Sequence, residues 1–422
     1  MAWVLVGLPI ILLLFGFPIF LLLLTTSVVV LEFFSTTPPV IIHQRMLSGI
    51  DQSVLIAVPF FILAGELMAK GGISAQLLKL VNALVGRLRG NMPMTTLGTA
   101  TIFGAISGST AATVASVGVL TYPNLRDAGY DARFSSALLT SAGAISNLIP
   151  PSIAMILYGF VTETSVIKLF LAGILPGLFL AGLFALYVSY YAHRNTIDDS
   201  QPFELSRLAA AAIESLPALG APVIILGGIY SGLFSPTESG GIACVYAVIV
   251  AMLSRNLVLS EIFKAFVDSM YLTAKIFIIV AAANVYSRIL IETGSAKQAV
   301  DFIASLDFPA WMMLLVINIF LLLLGTALDT VSAILILSPL LAQIAGTLGV
   351  DPIHFGIIVV MNLTIGTFTP PFGLNIFVAQ AIFRVSLSEL YPGLVPFIAI
   401  SIVALMFVTY FPPLSLWLLR FM

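Results

Sequence analysis

Four short stretches decide how this chain folds: Gly104-Ala-Ile-Ser-Gly-Ser-Thr-Ala-Ala-Thr113, Leu148-Ile-Pro-Pro-Ser152, Gly325-Thr-Ala-Leu-Asp-Thr330 and Gly366-Thr-Phe-Thr-Pro-Pro371. The first and third are small, polar and turn-prone inside apolar sequence. The second and fourth put a double proline in the middle of an apolar helix. Proline has no N–H to donate and disfavours helix in the residue before it, so each of these helices must come apart mid-course.

The surroundings are those of a membrane protein. Of 422 residues, 60% are hydrophobic and 9% are charged, with a mean hydropathy of +1.14; a soluble domain carries about 25% charge. In a bilayer, backbone freed from helical bonding survives only where protein buries it or a cavity solvates it. Two such interruptions in corresponding halves of a chain point to the substrate and ion sites of a transporter.

Working outward, spanning helices need about 20 apolar residues. That length places spans near 3–31, 50–69, 134–160, 167–192, 213–234, 240–254, 266–291, 354–383 and 391–418. The first is too long for a signal-peptide core and lacks a basic n-region. It reads as a retained helix that tolerates Gly7, Pro9, Gly16 and Pro18. Stretches 70–92 and 292–309 space charges through apolar residues, as Lys79, Arg87 and Arg89 do among leucines; each is an interfacial amphipathic helix or a solvated loop helix.

Segments 93–122 and 310–345, with the polar tips in their middles, are either full crossings or hairpins that turn back. Basic residues collect on one side of a membrane. With both segments as hairpins, Lys70, Lys79, Arg87, Arg89, Arg126, Arg133, Arg194, Arg207, Arg255, Lys264 and Arg384 share a face, and the other receives Arg45, Lys168, Lys297 and Arg420. Hairpins are therefore expected, with a cytoplasmic N-terminus and an external C-terminus.

The landmarks repeat. Pro150-Pro151 and Pro370-Pro371 are offset by 220, as are Gly129-Tyr-Asp131 and Gly349-Val-Asp351, while Gly72 and Gly294 differ by 222. Two copies are expected, within 45–192 and 266–422, after an N-terminal helix at 1–44 and joined by a polar linker and helices over 193–265. Inversion of the second copy requires that the short segment 240–254 cross the membrane. The fold class is thus all-α: a polytopic inverted repeat with two re-entrant hairpins and two broken helices.

Several functions are excluded. The balance of 17 basic and 19 acidic residues leaves no footprint for nucleic acid. One cysteine, Cys244, and scattered histidines at 43, 193 and 354 build neither a disulfide framework nor a zinc centre. No phosphate-binding loop or nucleophile elbow is present.

Candidate ion ligands are the first tip, Ser107, Gly108, Ser109 and Thr110, opposite Ser146 and Asn147, because a hard cation takes hydroxyls and unwound carbonyls. Plain close packing of small residues is the alternative for this tip. At the second tip Asp329 stands out, since a charge at membrane depth costs about 2.5–3.5 kcal/mol and rarely lacks a purpose. It is expected to ligate sodium with Gly325, Thr326, Thr330, Gly366, Thr367 and Thr369, or to cap the returning helix, or both. Helix N-termini at the breaks suit a substrate carboxylate and C-termini a cation. Asn147, Pro150, Ser152, Thr369, Pro370 and Asn375 are the expected substrate-facing residues. Arg288 is expected in a salt bridge or snorkelling, and Glu238 in a solvated turn.

Ser107-Gly-Ser109, Ala128-Gly-Tyr130, Leu148-Ile-Pro-Pro-Ser152, Leu175-Pro-Gly177, Leu328-Asp329 and Gly366-Thr-Phe-Thr-Pro-Pro371 together resemble the large membrane (M) subunit of tripartite ATP-independent periplasmic (TRAP) transporters, along almost the whole chain. The resemblance implies a bacterial or archaeal inner-membrane importer of organic acids such as C4-dicarboxylates or sugar acids, and no enzyme. It also implies sodium as the co-transported ion, an elevator motion, a small four-helix (Q) subunit and a periplasmic (P) binding protein as partners, within membrane lipid. The sodium sites carry over to the two tips and breaks named above. Thr113 stands where the family often has an acid, and Asn147 where it often has glycine. A stand-alone divalent-anion symporter and a membrane-embedded enzyme are the competing readings.

Overall fold

The computed structural model describes residues 2–34, 40–253, 257–295, 297–298, 300–301 and 308–422. Helices account for the regular structure, and no strand occurs among the described residues.

The chain opens with α1 (Ala2–Leu14) and α2 (Ile19–Phe34), which corrects the expectation of one span over 3–31. Pro9 is absorbed within α1, but Gly16 has φ +77 and Pro18 follows it. That left-handed turn ends the first rod; among the described residues α1 has 13 residues and α2 has 16. After α3 (Ile41–Ile50) come α4 (Ala57–Lys70) and the amphipathic α5 (Ile73–Val85). Of the second amphipathic stretch, 292–309, residues 296, 299 and 302–307 lie outside the described residues.

Next come α6 (Asn91–Ser107) and α7 (Thr110–Asp127), then α8 (Ala132–Ala142), a tighter turn over Gly143–Asn147, and α9 (Ile153–Val161). The long α10 (Val166–Arg194) leads into the linker. It is followed by α11 (Leu205–Glu214), α12 (Leu216–Tyr230), α13 (Pro236–Leu253) and α14 (Leu259–Glu292). The second half holds α15 (Ala310–Gly325), α16 (Thr330–Thr347), α17 (Pro352–Gly366), α18 (Leu374–Phe383) and α19 (Leu387–Tyr410).

Among the described residues six helices are long and apolar enough to cross a membrane, and α11 with α12, bent by 60°, supplies a seventh candidate. The doubtful segment near 240–254 extends back to Pro236 and is one of the six. The last span stops at Tyr410, short of the expected 418. The protein is multi-pass.

Contacts fix the course of both tipped segments. At the first, the N-terminus of α6 and the end of α7 (Asn124, Asp127) lie with Asp199 of the linker around one cavity of about 600 Å³. Both arms therefore start and finish at the linker end, and the tip points inward. At the second, Tyr410 donates to the Trp311 carbonyl (2.8 Å) at the start of α15. Pro339 and Gln343 of α16 share a cavity with Pro352, Thr162 and Arg288 at the opposite end. Both segments are hairpins, inserted from opposite ends.

The broken helices run in opposite senses too. Asp131, the N-cap of α8, meets Tyr191 at the linker end (3.1 Å), whereas Tyr158 of α9 donates to the Pro352 carbonyl at the other (3.3 Å). From there α17 starts its return, and Phe383 at the end of α18 stacks on Tyr122 with ring centroids 4.8 Å apart. The repeat is inverted. Caps repeat with it: Asp131 and Asp351 start the broken helices, and Ser109 and Asp329 start the returning hairpin arms, each pair offset by 220.

Three of the basic residues expected to share a face lie together. Lys79 with Glu214, Arg89 near Asp198 and Arg207 with Gln201 gather at the linker end. Arg288 pairs with Glu292 (2.6 Å) at the opposite one.

Candidate functional site at the tips and breaks

At the first tip Gly108 has φ +57, a backbone that disfavours any side chain. A Cβ there would lie 2.6 Å from the Pro151 carbonyl oxygen. The tip is thus seated directly on the first break, and only glycine fits. Ser109 caps α7 by accepting from the Ala112 N–H (3.4 Å). Ser107 Oγ lies 3.1 Å from Thr113 Oγ1, which donates to the Ser109 carbonyl (2.9 Å). Thr113 therefore ties the two sides of the tip together with neutral hydroxyls.

The first break is buried throughout, from Ser146 and Asn147 past Pro150 to Ser152. Ser146 donates to the Gly143 carbonyl (2.7 Å), and Ser152 caps α9 by accepting from the Met155 N–H (3.3 Å). A Cβ on Gly143 would come 2.9 Å from the Thr110 carbonyl, so Thr110 presses its backbone on the turn before the break. The Pro150-Pro151 and Pro370-Pro371 peptides are both cis.

The second tip meets the second break glycine to glycine: a Cβ on Gly366 would lie 2.4 Å from the Gly325 carbonyl carbon. Asp329 Oδ2 accepts from the Ser332 N–H (3.1 Å), the capping geometry expected as one of its two roles. Thr326 donates to the Leu323 carbonyl (2.8 Å). Thr330 Oγ1 is buried and finds no partner among the described residues. In the break, Thr367 donates to the Thr364 carbonyl (2.6 Å) and Thr369 to the Ile365 carbonyl (2.8 Å). Thr369 and Pro370 are half-buried, and the Pro371 carbonyl is held by the Tyr391 hydroxyl (2.9 Å).

The two breaks brace each other. Asn147 donates its side-chain amide to Thr364 Oγ1 (3.2 Å), and Asn375 donates to the Thr140 carbonyl (3.3 Å). Each amide crosses from one half to the other. Asn375 Oδ1 is buried without a partner among the described residues.

The electrostatics follow from the helix ends. Helices α7, α9, α16 and α18 all begin at a tip or a break, and α6, α15 and α17 end at one. N-termini carry partial positive charge and C-termini partial negative charge. The region can therefore present N–H dipoles to a carboxylate and carbonyl oxygens to a cation at close range. Asp329 is the one acid within the four stretches. Among the described residues no group of three His, Cys, Asp or Glu side chains could hold a metal. The oxygens within reach of a cation here are those of the backbone, the hydroxyls and the Asp329 carboxylate.

Residues 6–414 match the family described as Tripartite ATP-independent periplasmic transporter, DctM component. The chain belongs to this family. That assignment removes both competing readings, since it names a component of a tripartite transporter and no enzyme.

Among relatives, the chain is 40% identical to the C4-dicarboxylate TRAP transporter large permease protein DctM of Pseudomonas aeruginosa, over 87% of this chain and 86% of that one. It is 36% identical to the isethionate TRAP transporter permease protein DctMQ of Oleidesulfovibrio alaskensis, over 98% of this chain and 66% of that one. The crystal structure of the Alcanivorax borkumensis YdaH transporter, reported to have an unusual topology, superposes with a TM-score of 0.67 at 14% identity, covering 98% of both chains. That likeness concerns the fold alone.

Within this DctM chain, sequence reasoning did not find Thr364 and Thr140, the receivers of the two bracing amides. Both are ordinary threonines more than 200 residues from their donors, so only the repeat-crossing geometry reveals them. Thr113 had a local signal: it lies four residues after Ser109, one helical turn along.

Proposed function

We propose that this DctM chain is the large membrane subunit of a sodium-coupled importer of an organic acid, a carboxylate such as a C4-dicarboxylate or sugar acid. The observation that carries the reading is the pairing of each hairpin tip with a broken helix, Gly108 on Pro151 and Gly325 on Gly366. Opposed helix ends are then gathered around uncharged oxygens and one carboxylate.

In this reading sodium binds at two places. One takes oxygens from Ser107, Gly108, Ser109, Thr110, Ser146 and Asn147. The other takes them from Gly325, Thr326, Asp329, Thr330, Gly366, Thr367 and Thr369, with the unpartnered Thr330 hydroxyl free to join. The ions order the tips, and a substrate carboxylate settles against the N-termini of α9 and α18 near Asn147, Pro150, Ser152, Thr369, Pro370 and Asn375. An elevator motion of the hairpins and broken helices against the remaining helices exposes the site to alternate faces.

The bacterial inner membrane is the setting, with the linker end and the N-terminus cytoplasmic and the C-terminus periplasmic. The gathering of basic side chains at the linker end supports that orientation. The units are an N-terminal segment 1–44, a first repeat 45–192, a connecting region 193–265 and a second repeat 266–422. A periplasmic binding protein delivers substrate, and a small four-helix Q subunit braces the assembly. A relative named for both M and Q, which extends beyond the matched length, supports the second partner.

Uptake into proteoliposomes holding the large and small subunits, with the binding protein outside, tests the proposal. Replacing external sodium with choline is expected to abolish accumulation of the acid. Accumulation that continues at the same rate in choline would refute sodium coupling.

A further inference from the structure

The most heavily hydrogen-bonded carboxylate described in the protein lies outside the tips and breaks. Asp199, in the linker, receives three consecutive backbone N–H groups at the start of α6: Gly90 (2.8 Å) and Asn91 (3.0 Å) on Oδ1, and Met92 (2.8 Å) on Oδ2. The fourth donor is the Tyr130 hydroxyl (3.2 Å), between α7 and α8.

The first turn of a helix leaves N–H groups that its own backbone cannot satisfy. In α6 the N-cap is Gly90, at φ +82, which has no side chain to offer. Pro93 lacks an N–H, and Met94 bonds the Gly90 carbonyl. Asp199 thus takes every donor of that turn still needing an acceptor. Its negative charge also sits where the helix dipole favours it.

This one side chain joins three segments far apart in sequence: the linker, the base of the inbound arm α6, and the turn that follows the outbound arm α7. Further bonds lay the linker along the same surface, from the Gln201 N–H to the Gly86 carbonyl (2.7 Å) and from Arg207 to Gln201 (2.7 Å). A phenol, with an ordinary pKa of about 10, is a donor at neutral pH, and burial and the adjacent Asp199 charge push that of Tyr130 higher still. From the base of α6 a 17-residue rod, about 25 Å long, reaches the tip that Gly108 seats on Pro151.

We infer that Asp199 is a positioning residue for the first hairpin, clamping both its arms at the linker end and so fixing how the Gly108–Thr110 tip sits on the first break. The role deepens the transport reading, because that tip belongs to the proposed ion site. The test uses no transport, so a failure here is distinct from a failure of sodium coupling.

Cys244 is buried and is the sole cysteine of the chain. The experiment uses the full chain with Cys244→Ser and Ala111→Cys, which places a thiol on the first turn of α7, and follows its labelling by a membrane-permeant maleimide. Asp199→Ala is expected to speed labelling at 111 roughly tenfold, given the several charge-assisted bonds removed. A thiol from Ala327→Cys at the second tip, in the same background, should react at an unchanged rate. Tyr130→Phe, which removes one of the four donors and keeps the fold if Asp199→Ala does not, should speed labelling at 111 by a smaller factor. Unchanged labelling at 111 in a folded Asp199→Ala or Tyr130→Phe protein overturns the inference. Equal acceleration at both tips does so too, since it marks general loosening.

Discussion

Asn147, in the first break, donates its side-chain amide to Thr364 Oγ1 at the end of α17, 3.2 Å away and 217 residues along the chain. With the bond from Asn375 of α18 to the Thr140 carbonyl of α8, it ties the first broken helix to the second across the two halves. A hydrogen bond between membrane helices contributes about 0.6 kcal/mol on average and rarely more than about 1.7.

The Asn147–Thr364 bond predicts a coupled pair. Asn147→Ala and Thr364→Val should each lower the thermal midpoint in detergent, and the double variant should lose less than the sum. A double-mutant cycle reports the coupling, expected at about 0.5–1.5 kcal/mol. Strict additivity would show that the amide does not brace the two halves.

Gly108 gives a steric prediction. An added methyl meets a backbone carbonyl at 2.6 Å and also incurs the left-handed backbone cost of about 1–2 kcal/mol. Gly108→Ala should therefore lift the tip off the break and reduce uptake by roughly tenfold or more. Gly129→Ala serves as the comparison: its φ is +94, yet nothing lies within 4 Å of its Cβ position. It should cost stability with little loss of uptake per folded protein, as measured by initial rates normalised to monodisperse protein.

Thr113 predicts a cation effect without a charge change. Thr113→Val removes the hydroxyl between Ser107 and the Ser109 carbonyl at nearly constant volume, a loss of about 0.5–1.5 kcal/mol. The sodium concentration for half-maximal uptake should rise by roughly two- to tenfold. Thr113→Ser should restore most of it. Titration of initial uptake rates with sodium at constant ionic strength measures both.

Gly366 tests the second tip in the same way as Gly108 tests the first. A Cβ there would sit 2.4 Å from the Gly325 backbone, which cannot yield as a side chain would. Gly366→Ala should abolish uptake while the protein still reaches the membrane, as read by surface labelling. Full uptake would mean that the tip and break need not touch.

Much of this architecture was legible because membrane physics leaves few options for free backbone. Double prolines in apolar runs force breaks, glycine-rich polar runs force turns, and the 220-residue offset ties one to the other. The basic side chains then separated hairpins from crossings, and Lys79, Arg89 and Arg207 do gather at the linker end. The N-terminal span was misread, because hydropathy counts Gly16-Phe17-Pro18 as apolar and is blind to the left-handed φ of Gly16.

At the site, tip and break residues were readable by type, and the capping geometry of Asp329 was one of its two expected roles. The partners of Asn147 and Asn375 were not, since a threonine hydroxyl or carbonyl carries no signal of an amide arriving from the other half. Asp199 was passed over as one more acid in a polar linker; its role appears only when the unsatisfied N–H groups of α6 are counted.

Asp329 offers the most direct test of cation binding between tips and breaks. Initial uptake by the reconstituted assembly is titrated with sodium for the wild-type chain and for Asp329→Asn, which keeps an oxygen able to cap α16 while removing the charge. A large rise in the half-saturating sodium concentration, or loss of sodium dependence, is predicted for the variant with thermal stability nearly unchanged. Superimposable sodium curves for the two proteins would contradict a cation bound at Asp329.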